Sequence, residues 1–153
     1  MLDEIKAKYP QGTSFVDGYN LNGQTRASRE VNRAISQSGY TSTTHGCGGW
    51  AAMVSDYIFG QDGAPARKIS VQDARPGDIT VILNKDGTLK HVAVLINKPW
   101  HDDECEMWRW NTTDGATATG KPTDPYYIDW GMSGGAYDDG FSLPTDFYTR
   151  YPE

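Results

Sequence analysis

Cys47 lies in the run Thr44-His45-Gly46-Cys47-Gly48-Gly49-Trp50, a thiol flanked by glycines where a polar loop meets an apolar segment. A thiol attacks as its thiolate, and the unpaired N–H groups of a helix N-terminus favour that charge. The glycines remove side-chain bulk, so a substrate backbone can come close, and the same N–H groups can donate to an oxyanion. Gly48 and Trp50, directly after the thiol, are expected on the oxyanion and substrate side. A thiol nucleophile needs an imidazole to hold its proton and return it to a leaving amine. Three histidines compete. His45 is two residues from Cys47 in a flexible loop and has little freedom to orient. His101, between Trp100 and two aspartates, reads as a solvated turn residue. His91 opens Lys90-His91-Val92-Ala93-Val94-Leu95-Ile96, where Val92, Val94 and Ile96 form an apolar face and the histidine shares the less bulky one. His91 is therefore the expected general base.

A third group should fix the far imidazole nitrogen. The next β-rich run, Cys105-Glu106-Met107-Trp108-Arg109-Trp110-Asn111, follows directly, so its polar residues can lie beside His91. Asn111, at its end, is the first choice; Glu106 and Asp114 are the alternatives.

The elements that must carry these residues follow from periodicity. Trp50, Met53, Val54, Tyr57 and Ile58 recur at helical spacing and Gly60 closes the segment, which predicts a helix with Cys47 at its first turn. Shorter helices are expected over Leu2 to Lys8, stopped by Pro10, and over Ala27 to Ser36. Arg75-Pro76-Gly77-Asp78 is a turn feeding the strand Ile79-Thr80-Val81-Ile82-Leu83, and Asn84-Lys85-Asp86-Gly87 is a hairpin turn returning the chain to the strand of His91. The run 105–111 completes an antiparallel meander, 112–125 reads as a loop, and Tyr126 to Trp130 can add a strand. The expectation is one α+β domain over residues 1–153. Its parts are an irregular N-terminal segment to residue 39, a core over about 40–130, and an aromatic C-terminal tail packed on the sheet.

Composition narrows the partners. With 153 residues the chain has room for one core. Fourteen basic against twenty acidic residues give a net charge of -6 with no basic stripe, so neither nucleic acid nor an anionic membrane surface is an expected partner. No apolar run reaches the roughly 18 residues that span a bilayer. The start, Met1-Leu2-Asp3-Glu4-Ile5-Lys6, lacks the apolar stretch of a signal peptide.

Taken together, Cys-Gly-Gly-Trp at a helix start, Arg-Pro-Gly-Asp-Ile before a strand and His-Val-Ala-Val-Leu-Ile resemble the NlpC/P60 and CHAP superfamily of papain-like cysteine peptidases and amidases. Cys47, Pro76-Gly77-Asp78, His91-Val92-Ala93 and Asn111 match that ordered pattern across residues 40–111, about half the chain. The resemblance implies a papain-like fold with N-terminal helices on a central antiparallel sheet. It also implies hydrolysis of amide bonds in peptidoglycan or peptide substrates, with no cofactor and no metal. The implied location is extracellular or at the bacterial cell wall, within a larger secreted multidomain protein. It further suggests Tyr40 as an oxyanion-site residue. The departures are Arg109, where CHAP members often carry Glu, and the glycines around Cys47, where NlpC/P60 members carry Asp or Asn before the thiol and Ser-Gly after it.

Other readings attach to the same residues. Cys47 could be a small buried hydrophobe, or bridge to Cys105 and lose its nucleophilicity. His45, Cys47, His101 and Cys105 could hold zinc, although His-x-Cys is tight for a tetrahedral site. A transglutaminase-like acyl transferase shares the Cys, His, polar-residue order, and a carbohydrate- or protein-binding module on a hydrolase-like scaffold is the non-catalytic alternative.

Overall fold

The computed structural model describes residues 1–15, 46–60, 64–87, 89–117, 126–133 and 144–153. The expected helix at 27–36, together with Tyr40 and His45, lies outside them. Helix α1 is Leu2–Lys8 and α2 is Gly46–Phe59. The strands are β1 Ser14–Phe15, β2 Arg67–Ile69, β3 Ile79–Leu83, β4 Leu89–Leu95, β5 Trp100–Asp102, β6 Met107–Arg109, β7 Asn111–Thr117, β8 Tyr126–Ser133 and β9 Thr145–Thr149. Seven of them form one antiparallel sheet in the order β1-β8-β7-β4-β3-β9-β2, and β5 and β6 form a separate ribbon. The architecture is α+β.

Alternation sets what each face of the sheet carries. Val92 and Val94 of β4, Ile79 and Val81 of β3, Tyr148 of β9 and Ile128 of β8 pack against α2 and α1 in the main core, which includes Trp50, Met53, Val54, Ile5 and Tyr9. The opposite face carries a smaller cluster of Ala74, Leu95, Trp110 and Phe147. Helix α2 is buried from Gly48 through Asp56, while Tyr57, expected on its apolar face, is exposed. The helix ends at Gly60, whose φ of +82° is the left-handed conformation that favours glycine. Arg150 fixes this end. Its guanidinium, 1% exposed, donates to Asp56 and Ser55 at 3.0 Å each, to the Gly60 carbonyl at 2.7 Å and to the Ala64 carbonyl at 2.8 Å. A cation at a helix C-terminus also complements the helix dipole.

Two expectations are corrected. The run 105–111 is not one strand beside β4: Met107–Arg109 pairs with β5, and of this run Asn111 alone belongs to the strand beside β4. Asp102 Oδ1 accepts the amides of Glu104 and Cys105, and Glu106 takes a φ of 52°, so this stretch closes a tight turn. The partner of β4 is β7, which begins at Asn111 and runs to Thr117 through residues expected as loop. The C-terminal segment, in turn, is a strand inside the sheet, between β3 and β2.

Candidate active site

Cys47 is the second residue of α2, partly exposed and unbridged; Cys105, also free, is exposed in the β5–β6 turn. The thiol hydrogen-bonds the side chain of His91 and accepts backbone N–H groups from Val92 and Gly48. The Gly48 amide belongs to the first turn, where a helix leaves its N–H groups without internal partners. The Val92 amide is available because β4 and β7 pair only at Val94–Thr113 and Leu95–Thr112. Toward the start of β4 the two strands no longer pair, and the sulfur occupies the side of β4 left open.

His91 is 4% exposed and lies beside an irregularity: Ile82 faces His91, but Leu83 faces Leu89, so Lys90 is an extra residue on β4. Such bulges re-aim the side chains next to them. The ring's Nε2 and Asp114 Oδ2 are 2.5 Å apart. With Nε2 on Asp114, Nδ1 is the nitrogen left for the sulfur. Asp114 is 1% exposed, and its other oxygen accepts the hydroxyl of Thr112 two residues earlier on the same strand face.

The third residue is therefore Asp114, and Asn111 is corrected. Continuing the Val94–Thr113 register sets Asp114 level with Ala93, on the face of His91 and two residues along. Asn111 stands level with Ile96, whose amide donates to the Asn111 carbonyl at 3.0 Å. That is five residues from His91, roughly 16 Å along the strand. Glu106 sits in the turn of the separate ribbon.

Burial pushes the Cys47 thiol up, but the hydrogen bond and charge of His91, with the Val92 and Gly48 amides, outweigh it and hold the thiol below its ordinary value. Burial likewise disfavours the imidazolium, yet the hydrogen bonds to Asp114 and Cys47 and their charges raise His91 to about 10. Both shifts favour the thiolate–imidazolium form of the pair over the neutral one.

Trp50 is corrected as a substrate-side residue. It is 0% exposed, its indole donates to Thr113 Oγ1 at 3.0 Å, and its ring meets Tyr9 and Trp130 edge to face at 5.8 and 5.9 Å. Its role is to lock the first turns of α2 onto β7 and α1. Gly48 is at the site through its backbone. His101 pairs with Asp103 at 2.7 Å on the surface. Pro76-Gly77-Asp78 forms a turn far from the thiol: the Arg75 amide donates to Asp78 Oδ2 at 2.9 Å, and the Tyr151 hydroxyl donates to the Pro76 carbonyl at 2.6 Å.

Sequence reasoning missed the Val92 amide, the Thr112 hydroxyl and the rank of Asp114. The usable signal was length: in an antiparallel pair, the first residues of one strand face the last residues of the next. Among the described residues, no group of three or more His, Cys, Asp or Glu side chains could hold a metal ion, and no helix is long and apolar enough to cross a membrane. No family model matches the chain, and neither the curated proteins nor the solved structures searched contain a match to it.

Proposed function

We propose that this chain is a papain-like cysteine hydrolase that cleaves amide bonds through a Cys47 acyl-enzyme, with bacterial cell-wall peptides as its substrate class. The observation that carries the reading is the hydrogen-bonded series Cys47–His91–Asp114, with the thiol below its ordinary pKa at a helix N-terminus. The Cys47 thiolate attacks the amide carbonyl carbon, and the oxyanion is held by backbone N–H groups of the first helical turn, that of Cys47 foremost. Collapse breaks the C–N bond as the imidazolium gives its Nδ1 proton to the leaving amine. His91, now neutral, takes a proton from water, which attacks the thioester; breaking the C–S bond frees the acid and restores the thiol for ion-pair formation. Asp114 retains the Nε2 hydrogen bond throughout, fixing tautomer and ring angle.

The cell-wall assignment rests on the ordered resemblance around Cys47, Pro76-Gly77-Asp78 and His91-Val92-Ala93. Incubating purified peptidoglycan and synthetic stem peptides with the protein tests it, with new amine and carboxyl termini read by mass spectrometry. Release of defined termini by the native chain, absent with Cys47→Ala, is the expected result. Native and Cys47→Ala profiles that coincide on both substrates would overturn it.

A further inference from the structure

The carboxylate beside His91 has two oxygens, and the ring takes only one of them. Torsion about the last bond of an aspartate side chain is broad, so packing alone does not fix which way the carboxylate faces. Asp114 Oδ2 lies 2.5 Å from His91 Nε2, while Oδ1 accepts the hydroxyl of Thr112. Two bonds on opposite oxygens leave the group one orientation.

Thr112 is placed to hold that bond. It precedes Asp114 by two residues in β7, so both side chains leave the same face of the strand. It is 1% exposed, and its β-branched side chain is restricted at χ1. Its register partners, Leu95 on β4 and Met132 on β8, are both apolar. A buried hydroxyl costs free energy unless it is hydrogen-bonded, and valine would fill the same space without that demand.

We infer that Thr112 is a positioning residue: its hydroxyl fixes the rotation of the Asp114 carboxylate so that Oδ2 meets the His91 ring. The inference rests on Cys47–His91–Asp114 being the reactive series, and it holds whichever amide is cleaved. Without the hydroxyl the carboxylate can swing away from Nε2, and the support that His91 gives the Cys47 thiolate weakens.

Alkylation of Cys47 by iodoacetamide at neutral pH, read by peptide mapping, tests this. Thr112→Val keeps the shape and removes the hydroxyl, and the rate should fall at least about threefold. Thr112→Ser puts the hydroxyl back without the methyl and should recover the rate to at least about half of native. In an Asp114→Asn background, adding Thr112→Val should change the rate by less than about twofold, because the carboxylate it orients is gone. Thr112→Ala, which also lacks the hydroxyl, carries the same comparisons if the valine variant does not fold, and circular dichroism checks each. A native rate in Thr112→Val and Thr112→Ala, an equal loss in Thr112→Ser and Thr112→Val, or an undiminished Thr112→Val effect in the Asp114→Asn background would each overturn the assignment. A native Cys47 that reacts no faster than Cys105 would overturn the reactive series and this role with it. The expected rate changes without cleavage of any peptide would count against the hydrolase reading alone and support the role of Thr112.

Discussion

Asp114 meets the imidazole of His91 from the neighbouring strand, Oδ2 to Nε2 at 2.5 Å, while its second oxygen takes the Thr112 hydroxyl. Both partners are buried, so the pairing acts in a medium of low polarisability, where a hydrogen-bonded charge exerts its full effect. The carboxylate's hydrogen bond and charge favour protonated His91, and the ring in turn lowers the Cys47 thiol. Asp114 thus acts on the sulfur without touching it.

That relay makes Asp114→Asn the most informative substitution. The amide fits the space but removes the charge, and it can present a donor to a ring nitrogen that needs an acceptor. The rate of Cys47 alkylation by iodoacetamide at neutral pH should fall about 10- to 1000-fold, whereas Asn111→Ala should stay within about twofold. Peptide mapping by mass spectrometry reports both. Equal losses in the two variants would remove Asp114 from the site.

The pH profile of the same alkylation reports the ion pair itself. An ordinary thiol, with a pKa near 8.5, loses reactivity about tenfold per pH unit below that value. Cys47 lies lower, so its reactivity should fall off at lower pH than that of a model thiol. As the imidazolium titrates near about 10, the profile should change again. In His91→Ala that displacement toward acid pH should shrink or vanish, the His91 hydrogen bond and charge being lost. A native profile that already matches a model thiol peptide would contradict the ion pair.

What the sequence disclosed, and what it hid, follows from the range of the interactions involved. The helix bearing Cys47, the strands 79–83 and 89–95 and the turn between them rest on local periodicity and glycine, and they form where those signals lie. The proximity of Cys47 and His91 followed from putting a thiol at a helix tip and a histidine at a strand start. The third residue depended on register between β4 and β7, which no local pattern encodes. Asp102 capping the turn at Glu104 and Cys105 diverted residues 105–109 into a separate ribbon and shifted the pairing strand toward the C-terminus. Trp50 was misread because an aromatic ring next to a nucleophile looks like a substrate contact. Its bond to Thr113, 63 residues away, makes it core.

Trp50→Phe separates those two roles. Phenylalanine keeps an aromatic ring but loses indole volume and leaves the Thr113 hydroxyl without its donor. Unfolding free energy should fall by about 2–3 kcal/mol in chemical denaturation. Alkylation of Cys47, measured well below the unfolding transition, should change by less than about threefold, because α2 remains anchored at its far end by Arg150. A variant of native stability but impaired thiol reactivity would return Trp50 to the site.

Asp78 gives the fold a pH dependence of unusual sign. Its carboxyl is 1% exposed, and Oδ1 has no hydrogen-bond partner among the described residues. Burial pushes its pKa up to about 6, against the lowering effect of the Thr149 hydroxyl, the Arg75 amide and charge, and the more distant Arg67. In the unfolded chain the same carboxyl titrates near its ordinary 3.8. Between those values the folded state binds more protons than the unfolded state, so this group's contribution is fully present below about pH 4 and declines as pH rises through about 6. The loss is about 2–3 kcal/mol from the size of the shift. Urea unfolding of native chain and Asp78→Asn across this range isolates the effect, because the other carboxylates contribute equally to both. The native-minus-variant stability should fall by that amount between about pH 4 and pH 7. A difference that stays constant, or grows with pH, would mean that Asp78 is ionised in the fold at its ordinary pKa.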